Sequence, residues 1–137
     1  TRIAPIVLIV DDSICLRGLL SSVFNLAGYE VEQARDGKDA WDKLQSGLDC
    51  DIIFCDIEMP KMNGLQLLEH IHNDPNLNQI PVAMLTGPAS YKHKQEAAKF
   101  GAKGYLTKPY LEEQLIDAAQ RMMKGENLLN ITTPVLV

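Results

Sequence analysis

Three aspartates follow the ends of short apolar runs, where their carboxylates could bind a cation together. Asp11 and Asp12 follow the run IVLIV at residues 6–10, and Asp56 follows IIFC at residues 52–55. Neighbouring carboxylates repel one another unless a cation lies between them, and Mg²⁺ prefers oxygen ligands of this kind. A single Asp is usually a helix cap or a turn residue, but that role explains three carboxylates at two run ends less well.

Two further apolar runs end in residues that can contact a phosphoryl group. Thr86 follows VAML at residues 82–85, and Lys108 follows YLT at residues 105–107. Asp56 is the best candidate nucleophile, because a carboxylate can accept a phosphoryl group as an acyl phosphate. Such a transfer mainly requires positioning and neutralisation of the equatorial oxygens, which the cation, the Lys108 ammonium and the Thr86 hydroxyl can provide. The residues that follow these four apolar runs together predict a phosphoryl-transfer site.

Apolar periodicity alternates between short continuous runs and helical spacing along the chain. We expect strands at 6–10, 30–34, 51–55, 82–85 and 104–107, and helices at 14–27, 38–46, 65–73, 90–100 and 110–124. Ser13 is the expected N-cap of the first helix, and Gly28 is expected to end it. Strands that alternate with helices predict an α/β fold, a doubly wound parallel sheet with right-handed crossovers. In such a sheet the strand ends share the edge where ligands bind.

Composition favours a single cytosolic domain. The chain has 137 residues, 46% of them hydrophobic and 23% charged, and its net charge of −5 argues against a nucleic-acid surface. No apolar run is long enough to span a membrane and no signal peptide opens the chain, so no membrane contact and a cytoplasmic location are expected. Cys15, Cys50 and Cys55 are expected to be buried, reduced thiols. Because the chain begins at Thr1 without Met, a processed or excised piece is also expected.

Five segments resemble the receiver domains of two-component response regulators. They are VLIVDDS at 7–13, ARDGKDA at 34–40, CDIEMPKMNGL at 55–65, PVAMLTG at 81–87 and GAKGYLTKPY at 101–110. The resemblance covers residues 5–124. It implies a flavodoxin-like five-stranded sheet of strand order 2-1-3-4-5, with a receiver domain at 1–124 and an extension of unknown structure at 125–137.

The resemblance also implies a role for each acidic residue. Asp56 matches the phosphoacceptor. Asp12 and Asp56 match direct ligands of Mg²⁺, Asp11 matches a ligand through water, and the backbone carbonyl of Glu58 matches the remaining protein ligand. The Glu58 carboxylate would stand beside the phosphoryl group and affect its lifetime.

A second set of residues is implied to sense the phosphoryl group. Thr86 matches the switch hydroxyl, Lys108 the phosphate-binding lysine and Tyr105 the switch aromatic, whose ring turns inward as the hydroxyl follows the phosphoryl group. Pro88 is expected to stiffen the loop after Thr86. The implied donor is a histidine kinase or a phosphotransfer domain, whereas the downstream protein target is not indicated. The run CDIEMPKMNG is also similar to receivers at the carboxyl end of hybrid chemotaxis-type kinases.

Three other functions compete with this one. An aspartate-nucleophile phosphohydrolase of the haloacid-dehalogenase type also uses Asp, Lys and Mg²⁺, but it places its nucleophile in a DxD pattern after the first strand, whereas here Asp11-Asp12 precedes Ser13. A phosphorylation-independent interaction module would not need the full set of site residues. A flavodoxin-like cofactor protein is disfavoured because no Gly-rich loop follows the first strand. The preferred prediction is a phosphoacceptor domain with at most slow self-dephosphorylation, not an enzyme.

Overall fold

The computed structural model describes residues 4–87, 91–108 and 110–130 and contains one parallel sheet. Its strands are β1 (Ile6–Val10), β2 (Glu30–Ala34), β3 (Ile52–Asp56), β4 (Val82–Thr86) and β5 (Gly104–Thr107). They lie in the order β2-β1-β3-β4-β5, and every neighbouring pair is parallel. The predicted α/β class and the strand order 2-1-3-4-5 are therefore confirmed. The prediction for Pro88 and any for the end of the tail, 131–137, fall outside the described residues.

Helices connect the strands in the predicted alternation. They are α1 (Ile14–Leu26), α2 (Gly37–Gln45), α3 (Gly64–His72), α4 (Tyr91–Lys99) and α5 (Glu112–Met123). The Ser13 hydroxyl accepts a hydrogen bond from the Leu16 amide at 3.2 Å, which makes it the N-cap of α1 as predicted. Gly28 follows this helix with φ +96°, a left-handed conformation that favours glycine and ends the helix.

The sheet separates two apolar clusters that lie on its opposite faces. Val7 and Ile9 of β1 pack on the face covered by α1 and α5, whereas Leu8 and Val10 pack on the face covered by α2, α3 and α4. Because both faces are covered, the central strands are buried along their length and read as continuous apolar runs. The edge strand β2 is mostly exposed, in agreement with its alternating sequence EVEQA.

The start of the carboxyl-terminal tail packs on the domain. Leu128–Asn130 form a short 3₁₀ helix, and the Leu128 amide donates a hydrogen bond to the Lys103 carbonyl at 2.8 Å. Leu128 and Leu129 pack against the two apolar clusters, one on each. The sequence alone is compatible with packing or fraying of this tail, and packing is found for Leu128 and Leu129. The division into a domain and an extension at residue 124 stays a prediction.

The expectation that all three cysteines are buried is wrong for one of them. Cys50 and Cys55 are buried, but Cys15 is exposed. Cys15 lies in the first turn of α1, on the side of the helix that faces away from the sheet. Burial of a cysteine in an amphipathic helix depends on the face it occupies, which its residue type does not specify.

Gly64 shapes the loop between β3 and α3, and a larger residue there has no room. Its amide donates a hydrogen bond to the Ile57 carbonyl at 2.8 Å, and a Cβ on Gly64 would meet the Asp56 carbonyl oxygen and the Met84 side chain. We expect Gly64→Ala to lower the free energy of unfolding by about 1–3 kcal/mol, the usual cost of overpacking. Urea denaturation followed by circular dichroism measures this change.

Gly18, inside α1, is the matched control. A Cβ there would meet no other atom within 4 Å, so Gly18→Ala should raise the unfolding free energy by about 0.5–1 kcal/mol through helix propensity. Equal effects of the two substitutions would contradict the close approach at Gly64.

Candidate functional site

Three carboxylates meet at the carboxyl end of the sheet. Val10 of β1 pairs with Cys55 of β3, so the next residues of these parallel strands, Asp11 and Asp56, come side by side. One oxygen from each of Asp11, Asp12 and Asp56 lies within 4.8 Å of the others. Asp11 and Asp56 are buried, whereas Asp12 is exposed. The structure therefore brings together the three aspartates predicted to bind a cation.

Asp11 is held by the backbone at the start of α1. Its Oδ1 accepts a hydrogen bond from the Ser13 amide at 2.8 Å, and its backbone carbonyl accepts one from Nη1 of Arg17 at 2.8 Å. The other carboxylate oxygen, Oδ2, is buried without a hydrogen-bond partner among the described residues. Burial raises the pKa of Asp11, while the Ser13 amide and the positive charge of Lys108 oppose that increase.

Asp56 is the second buried carboxylate of the site whose pKa is raised. Burial raises its pKa to about 6, the charge of Asp11 adds to the increase, and the charge of Lys108 opposes it. At neutral pH the edge therefore holds buried carboxylates that repel one another. A divalent cation relieves such repulsion, and the donor set of carboxylate oxygens suits Mg²⁺ or a similar hard ion.

Thr86 and Lys108 lie at the ends of the next two strands. Asp56 pairs with Leu85, so Thr86 is one residue beyond the partner of Asp56, and its side chain is 4% exposed. The Lys108 amide donates a hydrogen bond to the Thr86 carbonyl at 2.9 Å. Because the charge of Lys108 lowers the pKa values of both Asp11 and Asp56, its ammonium acts on the same edge. The residues predicted from all four run ends thus share one site.

Sequence comparison identifies the family. A family model described as the response regulator receiver domain matches residues 7–120. The chain belongs to the response regulator receiver family. Among curated proteins, this receiver domain is 34% identical over 109 residues to the chemotaxis protein CheY1 of Helicobacter pylori, a match that covers 79% of the chain and 88% of that protein.

Solved structures of receivers have the same fold. The chemotaxis response regulator CheY4 of Vibrio cholerae is 39% identical with a TM-score of 0.80, over 86% of this chain and 98% of that one. The receiver domain of a signal transduction histidine kinase from Syntrophus aciditrophicus is 28% identical with a TM-score of 0.82, over 98% of both chains. The chain is therefore a receiver domain of the CheY-like kind, and such domains are phosphoacceptor signalling domains.

The loop after β3 makes a tight turn at Lys61. Lys61 adopts φ +68°, and the Met62 amide donates a hydrogen bond to the Pro60 carbonyl at 2.8 Å. The Glu58 side chain is exposed and its carboxylate lies outside the cluster of three found in the described part of the chain. This placement agrees with a ligand role for the backbone of Glu58 rather than its side chain, and that role stays a prediction.

Tyr105 packs on the face of the sheet opposite to the face covered by α1. It pairs with Met84 across β4 and β5, and its half-buried ring packs on the cluster covered by α3 and α4. Its position between the end of β4 and the surface near α4 suits the predicted relay from Thr86. The switch role itself stays a prediction.

Sequence reasoning gave no role to two residues that the receiver fold places at the site. Arg17 lies one helical turn after Ser13 and contacts the Asp11 carbonyl. Tyr110 has a buried hydroxyl, and burial together with the negative charges of Asp11 and Asp56 raises its pKa to about 12. Tyr110 stands two places after Lys108 in the segment GAKGYLTKPY, but an aromatic residue there is usually read as packing. Their positions depend on how α1 and the start of α5 pack on the sheet.

Among the described residues, no helix combines the length and the apolar character needed to cross a lipid bilayer.

Removal of the Asp56 charge should stabilise the metal-free domain in a pH-dependent way. The folded pKa of about 6 exceeds the ordinary value of 3.8, so the folded state binds more protons and wild-type stability falls as pH rises through this window. At pH 7.5 in EDTA we expect Asp56→Asn to raise the unfolding free energy by about 2–3 kcal/mol. At pH 3.8 the difference should shrink to about 0.4 kcal/mol, since the folded Asp56 carboxyl is then protonated and only half of the unfolded one is ionised.

Urea denaturation at the two pH values measures this difference. Asp117→Asn is the control, because the Asp117 side chain is 64% exposed on α5. The same stability difference at pH 3.8, the lower limit of the window, and at pH 7.5 would contradict a strained carboxylate at position 56.

Proposed function

We propose that Asp56 accepts a phosphoryl group from a phosphohistidine of a histidine kinase or a phosphotransfer domain. One carboxylate oxygen of Asp56 forms a bond to phosphorus as the bond between phosphorus and the donor imidazole nitrogen breaks. The released imidazole nitrogen keeps the electron pair of that bond and takes up a proton. The observation that carries this proposal is the convergence of Asp11, Asp12 and Asp56 within 4.8 Å at an edge where Lys108 acts electrostatically on Asp56.

The proposed metal site uses the oxygen atoms around Asp56. Asp12 and Asp56 would bind Mg²⁺ directly, Asp11 would act through a water molecule, and the Glu58 backbone carbonyl would complete the protein ligands. The ion would neutralise charge on the phosphoryl oxygens during transfer. The mutual repulsion of the carboxylates and the unpartnered Oδ2 of Asp11 support this assignment.

The phosphoryl group would change the domain through Thr86 and Tyr105. Phosphorylation adds negative charge and acceptor oxygens, to which the Lys108 ammonium and the Thr86 hydroxyl can donate hydrogen bonds. Movement of Thr86 toward these oxygens leaves room for the Tyr105 ring to turn inward from its half-buried position. The face formed by α4, β5 and α5 would thereby shift between two populations, one favoured without the phosphoryl group and one with it.

A signalling role fits these residues better than catalytic turnover. The Glu58 carboxylate, exposed next to the site, would affect the access of water and hence the phosphoryl lifetime.

We further propose that the domain acts in the cytoplasm. Either a stand-alone receiver or the receiver of a longer kinase chain agrees with the two kinds of solved relatives.

Phosphorylation with acetyl phosphate tests the assignment of Asp56. In the presence of Mg²⁺ the wild-type domain should gain one phosphoryl group, measured by intact mass after acid quench, and Asp56→Asn should gain none. Addition of EDTA should abolish labelling of the wild type. Asp117→Asn, which changes an exposed carboxylate on α5, should be labelled like the wild type.

This labelling and a phosphatase assay together distinguish the proposed function from the alternatives. Labelling of Asp56→Asn would contradict the proposed phosphoacceptor. Repeated turnover of a generic phosphatase substrate would favour a phosphohydrolase, and failure of the wild type to accept any phosphoryl group would favour an interaction module.

Exposed apolar side chains next to the site support a protein as the phosphoryl donor. Ile14 directly follows Asp12 and Ser13 and is 74% exposed, and Leu19 and Leu111 are 58% and 61% exposed. Leu19 and Leu111 line one surface cavity between α1 and the start of α5. Apolar side chains grouped on a surface are typical of a protein contact. A donor protein that reaches Asp56 would cover this surface.

Ile14→Ser should separate a protein donor from a small-molecule donor. We expect it to slow phosphotransfer from a phosphorylated histidine-phosphotransfer domain by about five- to tenfold, since a buried contact is lost. Labelling by acetyl phosphate should be unchanged, because Ile14 does not belong to the acidic cluster.

Leu26→Ser is the matched control for this substitution. Leu26 is 90% exposed at the far end of α1, away from the site, and should leave both reactions unchanged. An equal loss of transfer with the two variants would contradict a contact at Ile14.

A further inference from the structure

Two buried polar atoms at the acidic edge have no hydrogen-bond partner in the protein. Among the described residues, four buried side-chain atoms lack such a partner, namely Asp11 Oδ2, Ser21 Oγ, His93 Nδ1 and Tyr110 Oη. Buried polar groups that are left unpaired are costly, so native proteins usually satisfy them by protein or by ordered water. The atoms of Asp11 and Tyr110 therefore require an explanation together.

Tyr110 reaches this edge from the loop that follows β5. The residue stands two places after Lys108, and its ring packs with Leu20 and Leu115 on the sheet face covered by α1 and α5. The carbon part of the ring thus lies in an apolar environment, and the hydroxyl is buried as well. Val7 and Ile9 of β1 belong to this same cluster, and the Asp11 amide continues the β1–β2 pairing through its hydrogen bond to the Ala34 carbonyl. Alternation along the strand therefore puts the Asp11 side chain on the sheet face on which Tyr110 packs.

The two unpartnered atoms are chemically complementary. An ionised carboxylate oxygen only accepts hydrogen bonds, and a phenol can donate one. Burial and the charges of Asp11 and Asp56 raise the pKa of Tyr110 to about 12, so its hydroxyl keeps its proton at neutral pH. A water molecule between them would have polar partners on both sides, which is what a buried water requires.

We propose that Tyr110 is a positioning residue of the phosphorylation site, whose hydroxyl donates a hydrogen bond through water to Asp11 Oδ2. This inference rests on the proposed Mg²⁺ site. The hydroxyl fixes the orientation of the Asp11 carboxylate and disperses part of its negative charge when the cation is bound. A phenylalanine at this position would fill the same apolar space but leave Asp11 Oδ2 without the donor.

Calorimetric titration of Mg²⁺ into the domain at neutral pH is the first test. We expect Tyr110→Phe to weaken Mg²⁺ binding by about two- to tenfold, the usual contribution of one hydrogen bond. Because the ring is kept, stability in urea should not fall. Tyr29→Phe is the matched control, since Tyr29 lies in the same apolar cluster and burial alone raises its pKa. It should leave the affinity unchanged.

Nuclear magnetic resonance of the tyrosine ¹³Cζ atoms gives a second, independent readout. The resonance lost in Tyr110→Phe belongs to Tyr110 and should move when Mg²⁺ saturates the wild type, whereas the Tyr29 resonance should stay in place. Equal affinities of wild type and Tyr110→Phe, or a Tyr110 resonance that Mg²⁺ leaves unmoved, would overturn this inference alone. A wild-type domain that binds no Mg²⁺ would overturn the proposed metal site as well.

Discussion

Repulsion between the buried carboxylates of Asp11 and Asp56 is the constraint on which the site depends. The pairing of Val10 with Cys55 in neighbouring parallel strands fixes these carboxylates side by side, and burial keeps water from screening them. Burial, and after it the charge of Asp11, raise the pKa of Asp56 to about 6. A divalent cation or the loss of one negative charge would reduce this repulsion, and both are changes that a signalling domain can use.

The surrounding structure keeps the two carboxylates close together. β1, β3 and β4 are covered on both faces, so the strand ends cannot separate without exposing the apolar core. Gly64 lets the loop after β3 approach the Asp56 carbonyl closely, and Ser13 both caps α1 and anchors Asp11 through its amide. Of the residues proposed to move, Thr86 is the last residue of β4, and Tyr105 belongs to the edge strand β5. Asp11 and Asp56, which would bind the cation, are thus held rigidly. Thr86 and Tyr105 are the residues that would respond.

Much of this arrangement could be predicted from the sequence. A run such as IVLIV is long enough for one strand and too uniformly apolar for an exposed one, which indicated a sheet covered on both faces. Ser13 and Gly28 indicated the ends of α1 through local hydrogen bonding and backbone conformation, which depend on few neighbours. Asp56 was identified because the carboxyl ends of parallel strands must meet at one edge. The exposure of Cys15 was missed, since a residue type does not specify the helix face on which it lies.

The sequence by itself determined the alternation of strands and helices and the residue types at each strand end, because these follow from periodicity and from chain direction. Only the tertiary structure decided which polar atoms of the site lack partners. Arg17 reaches the Asp11 carbonyl and Tyr110 buries its hydroxyl near Asp11 because α1 and the start of α5 pack on one face of the sheet. Tyr110 and Asp11 are far apart in the chain, whereas Arg17 is only six residues from Asp11. In both cases the energy depends on burial, which local sequence does not fix.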